Sequence, residues 1–155
     1  MSTNETPATT NVRPYILFSV AGTTYALPSD QVRHMEMVGQ ITAVPNAAPF
    51  IEGVAFSRGQ VVPVVNLRVR FGFEREAPGI RARLLIVEMN NRRIGLLADS
   101  AREFVSIADH LIHPPNDAIR GLSGNYVSGV ATMDERIILI LNMTPLVDTN
   151  PDVAA

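Results

Sequence analysis

The sequence repeats itself, in order, along most of its length. Ile51-Glu52-Gly53-Val54-Ala55, followed by Val61-Val62-Pro63-Val64-Val65-Asn66-Leu67, returns as Val127-Ser128-Gly129-Val130-Ala131 and Ile137-Ile138-Leu139-Ile140-Leu141-Asn142-Met143, at one offset of 76 and without a gap. Upstream, Ile16-Leu17-Phe18, Tyr25, Leu27, Asp30, Arg33 and Met35 fall opposite Leu85-Ile86-Val87, Ile94, Leu96, Asp99, Arg102 and Phe104 at an offset of 69, and Val44-Pro45 falls near Pro114-Pro115. Aliphatic strings match by chance, but the shared Gly-Val-Ala, the shared Asn and the preserved order point to duplication of one unit. A unit of about 65 residues has too little volume for its surface to be stable alone, so the two copies are expected to share a hydrophobic seam.

The runs within each copy are short and rich in Val, Ile and aromatic residues, with turn residues between them. Strands are expected over Tyr15 to Val20, Thr24 to Leu27, Val54 to Phe56, Val61 to Asn66, Leu84 to Met89, Arg93 to Leu97, Tyr126 to Thr132 and Arg136 to Asn142. Gly22, Asn90-Asn91 and Asp134-Glu135 mark hairpin tips, a short turn starts at Ser29 or Asp30, and Thr144-Pro145 opens a last short helix. Many short strands with close turns predict an all-β fold with short helices, two small barrels rather than an alternating α/β sheet. Residues 1–14 read as a disordered leader and 148–155 as a flexible tail. The copies between them run approximately over 15–80 and 81–147.

Composition narrows the chemistry. All 13 basic residues are Arg, set against 15 acidic ones, and there is neither Cys nor Lys. Thiol nucleophiles, thiolate metal cages, disulfides, Schiff bases and phosphate-loop lysines are therefore excluded. The balanced charge disfavours nucleic acid as a partner held by counterion release. No segment approaches the ~20 apolar residues that span a bilayer, and the N-terminus lacks a signal-peptide core, so no membrane insertion and a cytoplasmic location are expected.

Few residues suggest catalysis. His110 and His113 with Asp109 make a poor metal set in a Pro-rich turn. Asp99 and Glu103 would share a face only on a helix, and the repeat, which aligns Asp99 with Asp30, favours turn capping. Gly121-Leu122-Ser123-Gly124 only approximates a nucleophile elbow. No cofactor or metal is expected. Arg58 stands out: it precedes Gly59 at a hairpin tip whose counterpart in the other copy is Asp134-Glu135. A guanidinium there either reaches carboxylates or carbonyls on a partner or is solvated. Arg68 and Arg70, flanking Val69, read as one face of an extended segment.

The string Phe50-Ile51-Glu52-Gly53-Val54, Ser57-Arg58-Gly59, Val62-Pro63-Val64-Val65-Asn66-Leu67-Arg68 and Phe71-Gly72 resembles the signature of the CheW-like adaptor domain, and the likeness extends from about Tyr15 to Val147. The resemblance implies a pair of five-stranded SH3-like barrels and no catalytic activity. It implies bridging between the cytoplasmic tip of chemoreceptors (methyl-accepting chemotaxis proteins) and the regulatory domain of a CheA-type histidine kinase. By the same resemblance Arg58 with Gly59 matches a functionally sensitive site, and Val32 matches a receptor-contact position. The family's usual acidic residue two positions after Val32 is His34 in this chain, with Glu36 following. Asn66 replaces an Asp before Leu67-Arg68, and Ser57 replaces a Leu before Arg58. The protein-binding set expected is Arg58, Gly59, Val32, His34, Asn66 and Arg68. The alternative is a small-barrel nucleic-acid or ligand-binding protein.

Overall fold

A computed structural model describes residues 11–117 and 126–147. In chain order its elements are β1 (Val12–Val20), β2 (Thr23–Pro28), a 3-10 turn (Ser29–Gln31), β3 (Val32–Met37), β4 (Ile51–Ser57), β5 (Gln60–Asn66) and helix α1 (Leu67–Arg70). There follow β6 (Arg83–Met89), β7 (Arg92–Ala98), β8 (Ser100–Ala108), a second 3-10 turn (Asp109–Leu111), β9 (Ile112–His113), β10 (Val127–Met133), β11 (Arg136–Leu141) and helix α2 (Met143–Val147). The chain is all-β with short helices, as its patterning predicts.

The strands form two sheets, ordered β8-β1-β2-β11-β10-β9 and β3-β6-β7-β5-β4. The repeat offsets equate β1 with β6, β2 with β7, β3 with β8, β4 with β10 and β5 with β11. The sheets obey that equivalence down to their single parallel joins, β11 on β2 and β5 on β7. Each sheet nevertheless draws on both copies. The first hairpin of the first copy, β1-β2, completes the sheet of β8 to β11, and the matching β6-β7 completes the sheet of β3 to β5. The sequence repeat is thus not the spatial sheet: the copies have exchanged their opening hairpins.

Four two-residue hairpin loops repeat in pairs, all with positive φ at both positions: Ala21 (52°) and Gly22 (84°), Asn90 (57°) and Asn91 (63°), Arg58 (48°) and Gly59 (83°), Asp134 (49°) and Glu135 (64°). Such loops match the right-handed twist of the flanking strands. The shared Gly of the repeat has a packing cause. At Gly53, φ is 147° and an added Cβ would lie 2.2 Å from the Thr42 carbonyl oxygen, while at Gly129 it would lie 2.8 Å from an Ile112 methyl. Both sit where the register shifts in their hairpin and a preceding segment bridges the strand, Thr42 to Val54 and His113 to Val130.

Alternation along β1, β2, β6 and β7 splits their side chains between two apolar environments. Tyr15, Leu17 and Ala26 join Ile107, Ala131, Ile138 and Ile140 in one sheet's core, and Leu84, Ile86 and Leu97 join Ala55, Val62 and Val64 in the other's. Ile16, Phe18, Leu27, Leu85, Val87, Ile94 and Leu96 face a third and larger cluster with Val65, Leu67, Leu141 and Leu146. That third cluster is the shared seam. Strands buried on both faces read as continuous aliphatic runs, which is why these four were legible.

Several expectations are corrected. β3 and β8 are additional to the expected strands; on β3 the inward positions are filled by His34 and Glu36, which breaks apolar alternation. Val12, Arg13 and Pro14 belong to β1 rather than to a leader, since β1 pairs with β8 as far out as Val12 opposite Ala108. Arg68 and Arg70 lie on α1, not an extended segment, because the Asn66 side chain accepts a hydrogen bond from Val69 N and caps a helical turn. The segment 100–108 is a strand and not a helix. Residues 1–10, the tail 148–155 and the Gly121 to Gly124 segment lie outside the described residues.

Candidate functional site

The 3-10 turn and β3 form one wall of a depression of about 510 Å³, and the β4-β5 hairpin tip another; its lining is Ser29, Asp30, Val32, Arg33, His34, Arg58 and Arg93. Three of the expected binding residues, Val32, His34 and Arg58, are thereby brought together, with Gly59 beside Arg58 in the tight turn. Alternation on β3 puts Val32, His34 and Glu36 on its half-buried face and Arg33, Met35 and Met37 outward. The depression is polar and ringed by guanidinium groups. Arg33 and Arg93 share one carboxylate, Glu88, at 3.4 and 3.7 Å.

Beneath Arg58 three polar side chains meet. His34 Nε2 lies 2.6 Å from Glu36 Oε2 and 3.3 Å from Ser57 Oγ, and the Ser57 hydroxyl donates to the same Glu36 oxygen. These contacts tie β3 to β4, the two edges of their sheet. Burial pushes the Glu36 carboxyl up, but the hydrogen bonds from Ser57 and His34 and the charges of His34 and Arg58 outweigh it and hold the carboxyl below its ordinary value. Glu36 is therefore an ionised counter-charge in contact with a histidine, its pKa lowered also by the charge of the hairpin arginine. Two of the three departures from the expected signature, Ser57 and His34, are the residues that bind it.

The other two expected residues do not line this depression. Asn66 is 2% exposed, and while it caps α1 its Nδ2 donates to Glu52 Oε1 at 3.0 Å. Arg68 forks onto Asp99 at 3.0 and 3.2 Å from Nε and at 3.0 Å from Nη2, and also meets Glu76. Asp99 in turn accepts from Ala21 N at 2.8 Å. The capping expected of Asp99 is observed, but across the seam and on a turn of the other copy. Arg70 is buried, 3.8 Å above the Phe50 ring, and donates to the Pro145 carbonyl at 2.6 Å.

His110 and His113 are exposed, on the second 3-10 turn and on β9. No cluster of three or more potential metal ligands occurs among the described residues. No helix among them is long and apolar enough to cross a membrane. Sequence reasoning overlooked Arg33, Asp30 and Arg93 as lining residues; only the pairing of β3 with β6 and of β6 with β7 brings them together.

The geometry invites comparison with known proteins. A family profile described as CheW-like domain matches residues 14–150. The chain belongs to the CheW-like family. Among CheW-like relatives, a probable chemotaxis protein CheW of Rhizobium etli is 24% identical over 143 residues, covering 92% of each chain. Protein FrzA of Myxococcus xanthus is 30% identical over 142 residues, covering 87% of this chain and 85% of its own. A CheW-like scaffolding protein from Thermoanaerobacter tengcongensis, solved by crystallography, superposes with a TM-score of 0.83 at 29% identity, covering 91% of this chain and 96% of that one.

Proposed function

We propose that this chain is a non-enzymatic adaptor that couples the cytoplasmic tips of chemoreceptors to the regulatory domain of a CheA-type histidine kinase in a chemosensory array. The observation that carries the reading is the gathering of Val32, His34 and Arg58 around one polar depression, in a chain whose relatives include chemotaxis proteins and whose structural likeness is to a scaffold. The contact surface assigned to partners is that depression and its rim. Asn66 and Arg68 lie at the other end of β5, where they fix α1 and, through Asp99, the β1-β2 turn.

A scaffold of this kind works by contact alone, from the cytoplasm, and needs neither cofactor nor metal. Its binding energy comes from a few well-placed anchors within a larger complementary surface. Isothermal titration calorimetry of the chain against the regulatory domain of the CheA-type kinase from the same organism tests it. Saturable one-to-one binding is expected; absence of binding to every such domain in the genome overturns it.

A further inference from the structure

We infer that Arg33 and Arg93 form a carboxylate-binding site for an acidic segment of a partner protein, and that Glu88 occupies their shared grip in the unbound chain. The site stands on contacts within the chain; which protein brings the acidic segment rests on the adaptor reading.

Strand register brings the three side chains together. Glu88 of β6 lies opposite Arg93 of β7. On its other side β6 pairs with β3, where Val32 is opposite Val87 and His34 opposite Ile86, so Arg33 is the extra residue of a bulge. A bulge re-aims the side chain it carries. Arg33 reaches Glu88 Oε1 at 3.4 Å, and Arg93 reaches the same oxygen at 3.7 Å. Neither contact is a hydrogen bond: Oε1 is buried, and nothing among the described residues donates to it. One carboxylate balances one guanidinium, so two cations held loosely on a single oxygen leave a positive charge in surplus. Arg58 adds a third guanidinium to the lining, which has Asp30 as its acid. Side-chain exposures of 53% for Arg33, 31% for Glu88 and 28% for Arg93 leave such pairs little to contribute to stability. The arrangement suits recognition instead. A guanidinium fork matches a carboxylate with two parallel bonds, and an incoming carboxylate that takes one Arg leaves Glu88 with the other, so that each acid then has its own cation. A protein segment fits better than a nucleic acid, because guanidiniums set among Asp30 and Glu88 make a local site and not the continuous basic track that a phosphate backbone requires.

The test is a titration of the full-length protein with a short polyglutamate peptide, followed through the arginine Nε–H resonances by NMR, with a polyglutamine peptide of equal length as control. The resonances of Arg33 and Arg93 are expected to shift with polyglutamate and not with polyglutamine. Glu88→Gln removes the internal competitor at nearly constant volume and is expected to tighten peptide binding about threefold, whereas Arg33→Gln and Arg93→Gln are each expected to weaken it about threefold or more. Glu135→Gln, the same change of net charge at the hairpin tip of the other copy, is expected to have less than half the effect of Glu88→Gln. No response at Arg33 and Arg93, a weakening by Glu88→Gln, or an equal gain from Glu135→Gln overturns the inference. A second arm measures the same variants by calorimetry against a chemoreceptor-tip fragment and against the kinase regulatory domain. At least one complex is expected to follow the same order, Glu88→Gln tighter than wild type and wild type tighter than both arginine variants. Complexes that form and ignore all three substitutions overturn the inference and leave the adaptor reading intact. Peptide binding in the expected order with no complex to either domain overturns the adaptor reading and supports the carboxylate site.

Discussion

Arg58 occupies a left-handed position, φ 48°, that strains Ala about as much as it strains Arg. Replacing it with Ala therefore leaves the turn unchanged, and an exposed side chain contributes little to the core. Arg58→Ala is expected to keep the thermal midpoint within a few degrees, on the order of 2 °C, while weakening a partner complex by about 1–3 kcal/mol. Calorimetry of the folded variant checks it, and undiminished affinity removes Arg58 from the site. Glu36 carries a different signature. Its carboxyl titrates below the ordinary 4.5 in the folded chain, so the stability it lends is present above the unfolded value and lost as pH falls through the depressed folded one. Glu36→Gln is expected to lie furthest below wild type in urea midpoint at neutral pH, and the gap to close in acid. A gap that stays constant with pH shows that the carboxylate is not held by charge.

At the level of elements, the repeat keeps residues for two separate reasons. Gly53 is kept for space: an added Cβ 2.2 Å from a backbone oxygen forces the Thr42 bridge apart, so Gly53→Ala is expected to cost upwards of about 3 kcal/mol in chemical denaturation. A cost below about 1 kcal/mol, the scale of conformational preference alone, shows that the bridge gives way easily. Asn66 and Asn142 are kept as helix caps, but unequally. Asn66 is buried and also holds Glu52, whereas Asn142, exposed, accepts from Thr144 N at 3.4 Å. Loss of a cap costs about 1 kcal/mol. Asn66→Ala, which also breaks a buried charge-assisted bond, is expected to cost at least about twice as much as Asn142→Ala. Equal costs refute the assignment. These elements show what was readable beforehand. The hairpin tips and doubly buried strands announce themselves through turn residues and aliphatic runs. β3 does not, because the polar residues that make it functional displace the alternation that would reveal it. α1 is only four residues long, and its sole signal was the Asn66 cap.

At the scale of the whole molecule the repeat was legible but the pairing was not, since an amphipathic strand records which face it buries and not which strand lies beside it. The duplicated sequence suggested two barrels placed in succession; the structure divides each sheet between the copies and packs Phe18, Tyr25, Phe71 and Tyr126 as a chain of rings with centroids 5.0 to 6.0 Å apart. Arg70 of α1 reinforces that join by bonding to Pro145 of α2. A polypeptide cut after Pro78 separates β1 to β5 from β6 to β11. The first piece then holds a β1-β2 hairpin without β8 and β11, and β3 to β5 without the two strands between them. Two-stranded remnants with one apolar face uncovered are not stable in water. Each fragment alone is expected to show no cooperative unfolding transition. Mixed in equal amounts, they are expected to regain the β-sheet circular dichroism of the intact chain and one transition, because the seam and both sheets form only together. Two fragments that each unfold cooperatively on their own refute the exchange of hairpins and restore the copies as separate barrels.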